Sequence, residues 1–272
     1  ILASTIGFAQ YDHNIQLNAG GTIIHSVTEI DSISFNTDGT PVLHLNLASG
    51  STNNYELGLI NQVVFSGEPD PYPTGTIHCI SGGAEVVDVI NPSTGKTWMD
   101  RNLGASQIAT SSTDEAAYGD LYQWGRSKDG HEKRNSGSTD GFSNSDIPGH
   151  SEFLASNFDW RIPQNDNLWQ GVNGTNNPCP NGYRLPTGAE WEAERLSWSS
   201  NDATGAFTSP LKLSVAGRHH FVNGSINNIS NGYYWSSTIN DSNSQGLSFS
   251  SSNAGIENFF RSFGFSVRCI KD

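Results

Sequence analysis

Two helix start signals stand out in this chain of 272 residues, Ser112-Thr-Asp-Glu115 and Thr187-Gly-Ala-Glu190. Each is a capping box, in which a hydroxyl and a Glu three residues on satisfy orphan N–H groups reciprocally. The first predicts a helix over Ala116–Trp124 that stops at Gly125, and the second a helix over Trp191–Trp198. Elsewhere the polarity comes from Asn, Ser, Thr and 29 Gly rather than from charge, since only 15% of residues are Asp, Glu, Lys or Arg. Such residues compete with helical hydrogen bonding or cost backbone entropy. Short strands and long loops must therefore fill the rest, and the chain reads as a β-rich or α+β surface protein.

Charge narrows the partners. With 14 Lys+Arg against 27 Asp+Glu, the net charge is −13. An acidic chain without a run of Lys or Arg repels phosphate backbones, so nucleic acid is not an expected partner. No apolar stretch approaches the roughly 18–20 residues that span a bilayer, so no membrane span is expected. Ile1–Ala9 is short and apolar, with Gly7 and Ala9 at the spacing that signal peptidase reads, and is taken as a signal-peptide remnant. Secretion or cell-surface display follows as an expectation.

Residues 10–66 read as a small β-rich domain with a pseudo-repeat. Ile15–Gly21, Thr22–Val27 and Ile30–Phe35 are echoed by Leu43–Gly50 and Leu59–Phe65, with a tight turn at Asn36-Thr-Asp-Gly-Thr40 between the halves. Pro69, Pro71 and Pro73 stiffen residues 67–75 into a linker. The second domain, 76–272, opens with a strand over Gly83–Ile90 whose hairpin partner starts at Thr97.

Several chemical motifs fail on spacing. Thr94-Gly-Lys-Thr97 lacks the upstream Gly of a phosphate loop, where Ile90 stands. His131, His150 and the His219-His220 pair show no zinc-ligand spacing. Asn165-Asp166-Asn167 and Asp38 are oxygen-rich but do not match a calcium loop; they read as turn formers, with an adventitious Ca²⁺ site as the rival reading. No G-x-S-x-G elbow marks a nucleophile. Of the seven tryptophans, Trp98, Trp124, Trp191 and Trp235 fall in element patterns and read as core anchors. Trp160 and Trp169 lie in polar loop sequence.

Five blocks, Thr97–Leu103, Ala117–Trp124, Cys179–Thr187 with Glu190-Trp-Glu192, Tyr234–Thr238 and Gly264–Asp272, resemble the Fibrobacter succinogenes major paralogous domain in order and spacing. That family resembles the formylglycine-generating-enzyme type of C-type-lectin-like fold, and the C-terminal block is similar to that of variable proteins diversified by retroelements. The resemblance runs from about Gly83 to Asp272. It implies an α+β, C-type-lectin-like domain with two helices and many short strands, preceded by the small antiparallel β unit. A C-terminal region that displays a binding surface is also implied.

Enzymes of the wider fold use either a dedicated cysteine pair or a His-x-x-x-His-x-Glu pattern. Neither is evident here, so a non-enzymatic protein without cofactor is expected. Among Cys79, Cys179 and Cys269, the resemblance is compatible with Cys179–Cys269 or Cys79–Cys269.

Residues 218–231 and 239–263 lie between these blocks, carry no helix pattern and mix Asn, Ser, Gly, His and Phe as binding loops do. The candidate contact residues are His219, His220, Phe221, Asn223, Asn227, Asn228, Asp241, Asn243, Ser248, Ser250, Glu257, Asn258, Phe259 and Arg261. The expected function is recognition of a protein or carbohydrate ligand through these loops. The alternative is a structural subunit that assembles with copies of itself into an extracellular fibre.

Overall fold

The computed structural model describes residues 86–272 throughout and, before them, segments 12–17, 22–25, 30–36, 42–47, 49–56 and 60–66. The expected signal remnant 1–9, the linker 67–75, Asp38 and Cys79 lie outside the described residues. The chain divides into two compact units, Ile1–Pro73 and Thr74–Asp272.

The first unit contains β1 (Asp12–Leu17), β2 (Thr22–His25), β3 (Ile30–Asn36), β4 (Val42–Leu47), β5 (Thr52–Glu56) and β6 (Ile60–Ser66). They form two antiparallel three-stranded sheets, ordered β2-β1-β6 and β3-β4-β5. The halves of the pseudo-repeat do not each close a sheet of their own. Strand β6, from the second half, pairs along β1, and β3, from the first, joins β4 and β5.

The second unit begins with the hairpin β7 (Asp88–Asn91) and β8 (Lys96–Met99), whose turn contains Thr94 and Gly95 at φ +67°, so the phosphate-loop-like residues form a hairpin turn. Short strands follow: β9 (Tyr122–Gln123), β10 (Ser138–Asp140), β11 (Phe153–Ala155) and β12 (Tyr183–Arg184). Next come α1 (Gly188–Leu196), α2 (Ala203–Thr208), β13 (Arg218–His219) and β14 (Ile226–Asn227). The chain ends with β15 (Gly232–Asn240), β16 (Asn243–Phe249), β17 (Ala254–Phe260), β18 (Gly264–Phe265) and β19 (Ile270–Lys271). Sheets run β12-β19-β8-β7, β14-β13-β18-β9 and β15-β16-β17, with β10 and β11 as a parallel pair.

The α+β expectation is corrected here. Strand makes up 31% of the structure and helix only 9%, and the two α-helices are nine and six residues long. One lies where the Thr187 box placed it: Thr187 Oγ1 accepts the Glu190 N–H at 3.2 Å and Glu190 Oε2 accepts the Thr187 N–H at 2.8 Å. The helix expected over 116–124 does not form. A single 3-10 turn at Glu115–Ala117 is capped by Asp114 rather than Ser112. Gly119 then takes φ +68°, where a Cβ would lie 2.4 Å from the Leu103 carbonyl. From there the chain is extended and β9 pairs with β18. The second helix is instead α2, capped by Asp202, whose carboxylate accepts the N–H groups of Thr204 and Gly205.

One face of the β15-β16-β17 sheet packs on α1. Tyr234, Leu247 and Phe249 meet Trp191, Leu211, Leu213, Val215, Trp98 and Ile270 in one buried cluster. Six of the seven tryptophans are fully buried, including Trp160 and Trp169, and Trp198 packs edge-on against Phe249. Five indole N–H groups tie distant segments together by donating to backbone carbonyls: Trp124 to Ser236, Trp160 to Trp124, Trp169 to Asn176, Trp191 to Trp235 and Trp235 to Tyr122. The disulfide is Cys179–Cys269, joining the segment before β12 to the segment before β19. Among the described residues no helix is long and apolar enough to cross a membrane.

Candidate binding surface

Strand alternation puts Tyr233, Trp235 and Phe259 on the face of the three-stranded sheet opposite α1. Phe259 meets Phe265 at 4.8 Å between ring centroids, Tyr233 at 6.1 Å and Trp235 and Phe263 at 6.3 Å, all near-perpendicular. The Arg218 guanidinium lies over both Phe263 (4.4 Å) and Tyr233 (4.9 Å). From Phe263 the aromatic contacts continue to Phe221 at 4.7 Å and His220 at 5.7 Å. Phe221 meets Phe260 at 5.3 Å, and Phe260 meets Phe158 at 5.1 Å.

The line of rings thus runs from buried Trp235 and Phe265 to Phe158, which is 62% exposed. Rings locked edge-to-face lose little freedom on binding, so they offer apolar area at low entropic cost.

The candidate residues divide by location. His220, Phe221 and Phe259 belong to this line. Ser248 pairs across the sheet with Tyr233, and Glu257 stands exposed on β17, two residues from Phe259 on the same face. Asn258 is exposed and accepts from Asn240. Asn227 accepts from Arg218 Nε, and Asn228, at φ +52°, donates to the Tyr233 hydroxyl. Asn223 caps its own turn by accepting from Ser225. Ser250 bonds Asn253 in the β16–β17 turn, while Asp241, at φ +50°, shapes the β15–β16 turn and Asn243 opens β16. These two turns sit at opposite ends of β16.

Two candidates are interior. His219 is buried, with Nδ1 donating to the Gly224 carbonyl at 2.5 Å, and burial lowers its pKa. Arg261, 1% exposed, lies over Trp124 at 4.4 Å and pairs with Asp166 at 2.7 Å. Sequence reasoning missed Phe158, Arg218, Tyr233, Phe260 and Phe263. Phe260 and Phe263 lie in the Phe-rich segment already singled out, whereas nothing local marks Phe158.

Asp129, His131 and Glu132 bring three metal-ligating groups within 4.8 Å of one another. Their atoms are already engaged. His131 Nδ1 sits 2.7 Å from Asp129, its Nε2 accepts the Gln123 N–H at 3.1 Å, Arg126 also pairs with Asp129, and Glu132 accepts from the Gly130 N–H. That arrangement ties the segment after β9 to the strand itself. Asn165 accepts the Asn167 N–H and Asp166 holds Arg261, so the oxygen-rich loop forms a turn.

No family model, curated protein or solved structure matches this chain.

Proposed function

We propose that the chain is a secreted or cell-surface, non-enzymatic binding protein that recognises a protein or glycan ligand through its C-terminal loops. The observation that carries this reading is the outer end of the aromatic line, where exposed Phe158 meets half-buried Phe260, Phe221 and His220 in one group. Large rigid aromatics at a surface are what interaction hot spots are made of. The Cys179–Cys269 disulfide supports an oxidising compartment. Kinship with the major paralogous domain family, proposed on the five sequence blocks, supports the same reading.

The test compares the chain with a Phe158→Ser, Phe221→Ser, His220→Ala variant on a glycan array and in pull-downs from surface extracts, with a thermal melt of each. The expected result is an unchanged melt and loss of a specific ligand, with affinity reduced by roughly 30-fold or more. Equal capture by both proteins would place recognition elsewhere.

A further inference from the structure

Strand β17 is the edge of its sheet, and it lacks the bulge, proline or lysine that most often protects one. It pairs with β16 over seven consecutive residues, Ala254 to Phe260, without a register shift. It contains no Pro, Lys or Arg. Natural sheets blunt such edges with bulges, prolines or lysines, because a bare edge is a template for another strand.

The phase of the ladder shows which groups face outward. The Ser250 N–H bonds the Asn253 carbonyl to close the turn, so the next pair, Phe249 and Ala254, turns its backbone groups away from each other. Consistently, the Ala254 carbonyl accepts from the Asn201 side chain instead. Period two then points the N–H and C=O of Ile256 and Asn258 outward, and among the described residues nothing bonds them. Alongside lies an open groove of about 510 Å³, between β17 and the α1 face formed by Gly188, Ala189, Glu192 and Arg195. Small residues floor it on both sides, at Gly188, Ala189, Ala254 and Gly255, and a Cβ on Gly255 would meet nothing within 4 Å.

We infer that β17 is a strand-addition site: an extended segment of another protein lies in this groove and completes the ladder at Ile256 and Asn258. Main-chain bonds supply affinity in this mode, and the groove receives alternate side chains. Charge selects the occupant. Glu192 lines the groove and holds Arg195 at 2.6 Å, and Glu257 stands exposed on the other face of β17, where an added strand would lie beside it. With Arg195 neutralised, exposed Glu257 and the overall acidity favour a basic segment. The net charge of −13 opposes a second copy. This site adjoins the aromatic surface proposed above, since Phe259 and Phe260 lie on the same strand, but it rests on main-chain groups and does not depend on that surface.

The probe is a fluorescent Lys-Val-Thr-Val-Lys-Val-Thr peptide, with two versions N-methylated on alternate residues, titrated against the full chain by anisotropy. Asn258→Pro removes the side chain that accepts from Asn240, as Asn258→Ala also does, and in addition an outward N–H, a loss that an edge strand tolerates. It should weaken binding about tenfold or more, as should N-methylation of one alternate set but not the other. Asn258→Ala and Phe158→Ser/Phe221→Ser should bind as the parent does. In the free chain the amides of Ile256 and Asn258 should exchange hydrogen rapidly, and the peptide should slow them.

Absence of binding, equal binding of both methylated sets, or slow exchange at these amides without peptide would overturn the proposal. In the last case, dependence of the protection on protein concentration would identify a second copy as the cover, and independence the chain itself.

Discussion

Arg268 aims Nε and Nη2 at a single oxygen, Asn102 Oδ1, at 3.1 and 2.9 Å. Its Nη1 donates to the carbonyls of Met99 and Leu211, and burial pulls its pKa down to about 10. Asn102 in turn donates to the Tyr234 hydroxyl. One buried cation thus joins the segment after β8, the segment before β19 and the start of β15.

Asn102→Ala should therefore strand a buried charge and cost roughly 3–5 kcal/mol, read by urea denaturation. The Asn102→Ala, Arg268→Met double variant should lose less than the two single changes together, because the second removes the charge that the first strands.

Acid should weaken the fold through His131. Burial holds its pKa at about 4 against an ordinary 6.5. The unfolded chain takes up this proton as pH falls through about 6.5, while the folded chain stays neutral until about 4. Stability contributed by neutral His131 is thus present above that window and lost on descending through it, at most on the order of 3 kcal/mol. Unfolding free energies of the parent and His131→Gln, measured from pH 7.5 to 4.5, should show a shallower slope in the variant.

Gly119→Ala should cost about 1–3 kcal/mol, because a side chain there combines φ +68° with a 2.4 Å approach to the Leu103 carbonyl. Gly255→Ala, in open space at ordinary φ, should change stability by no more than about 0.5 kcal/mol. Chemical denaturation of the two side by side checks the contrast.

The Cys179–Cys269 bridge spans a sequence separation of 90 residues. In the chain-entropy account a loop of that size contributes roughly 4–5 kcal/mol. Reduction, or Cys179→Ser with Cys269→Ser, should lower the denaturation midpoint accordingly. The unreduced, denatured chain should titrate one thiol of its three cysteines.

Local signals were legible where both partners sit within one turn of chain. Thr187 and Glu190 are three residues apart, so their reciprocal cap could be read from spacing, and so could the turn that makes a hairpin of β7 and β8. Ser112 offered the same pattern and lost, because Asp114 caps instead and the next turn closes at Gly119 against Leu103, a contact that spacing does not show. Asp202 was a cap signal of the same kind, but without a Glu three residues on.

At the candidate surface the Phe- and Asn-rich loops could be recognised by composition, and Phe221, His220 and Phe259 do lie along one line of rings. Exposure could not be read there. Arg261 looks like a surface cation in sequence, yet it sits on Trp124 in the interior; Phe158 looks like loop filler, yet it forms the outer end of the line.

Residue order alone decided the acidity, the shortage of helix and the Thr187 cap, because these depend on composition or on neighbours a few residues away. Tertiary structure alone decided that Cys179 rather than Cys79 meets Cys269, that β6 pairs with β1, and that β17 is left as an edge. Those outcomes rest on which distant segments share a sheet, since burial and backbone pairing take their free energy from whatever the rest of the chain brings alongside.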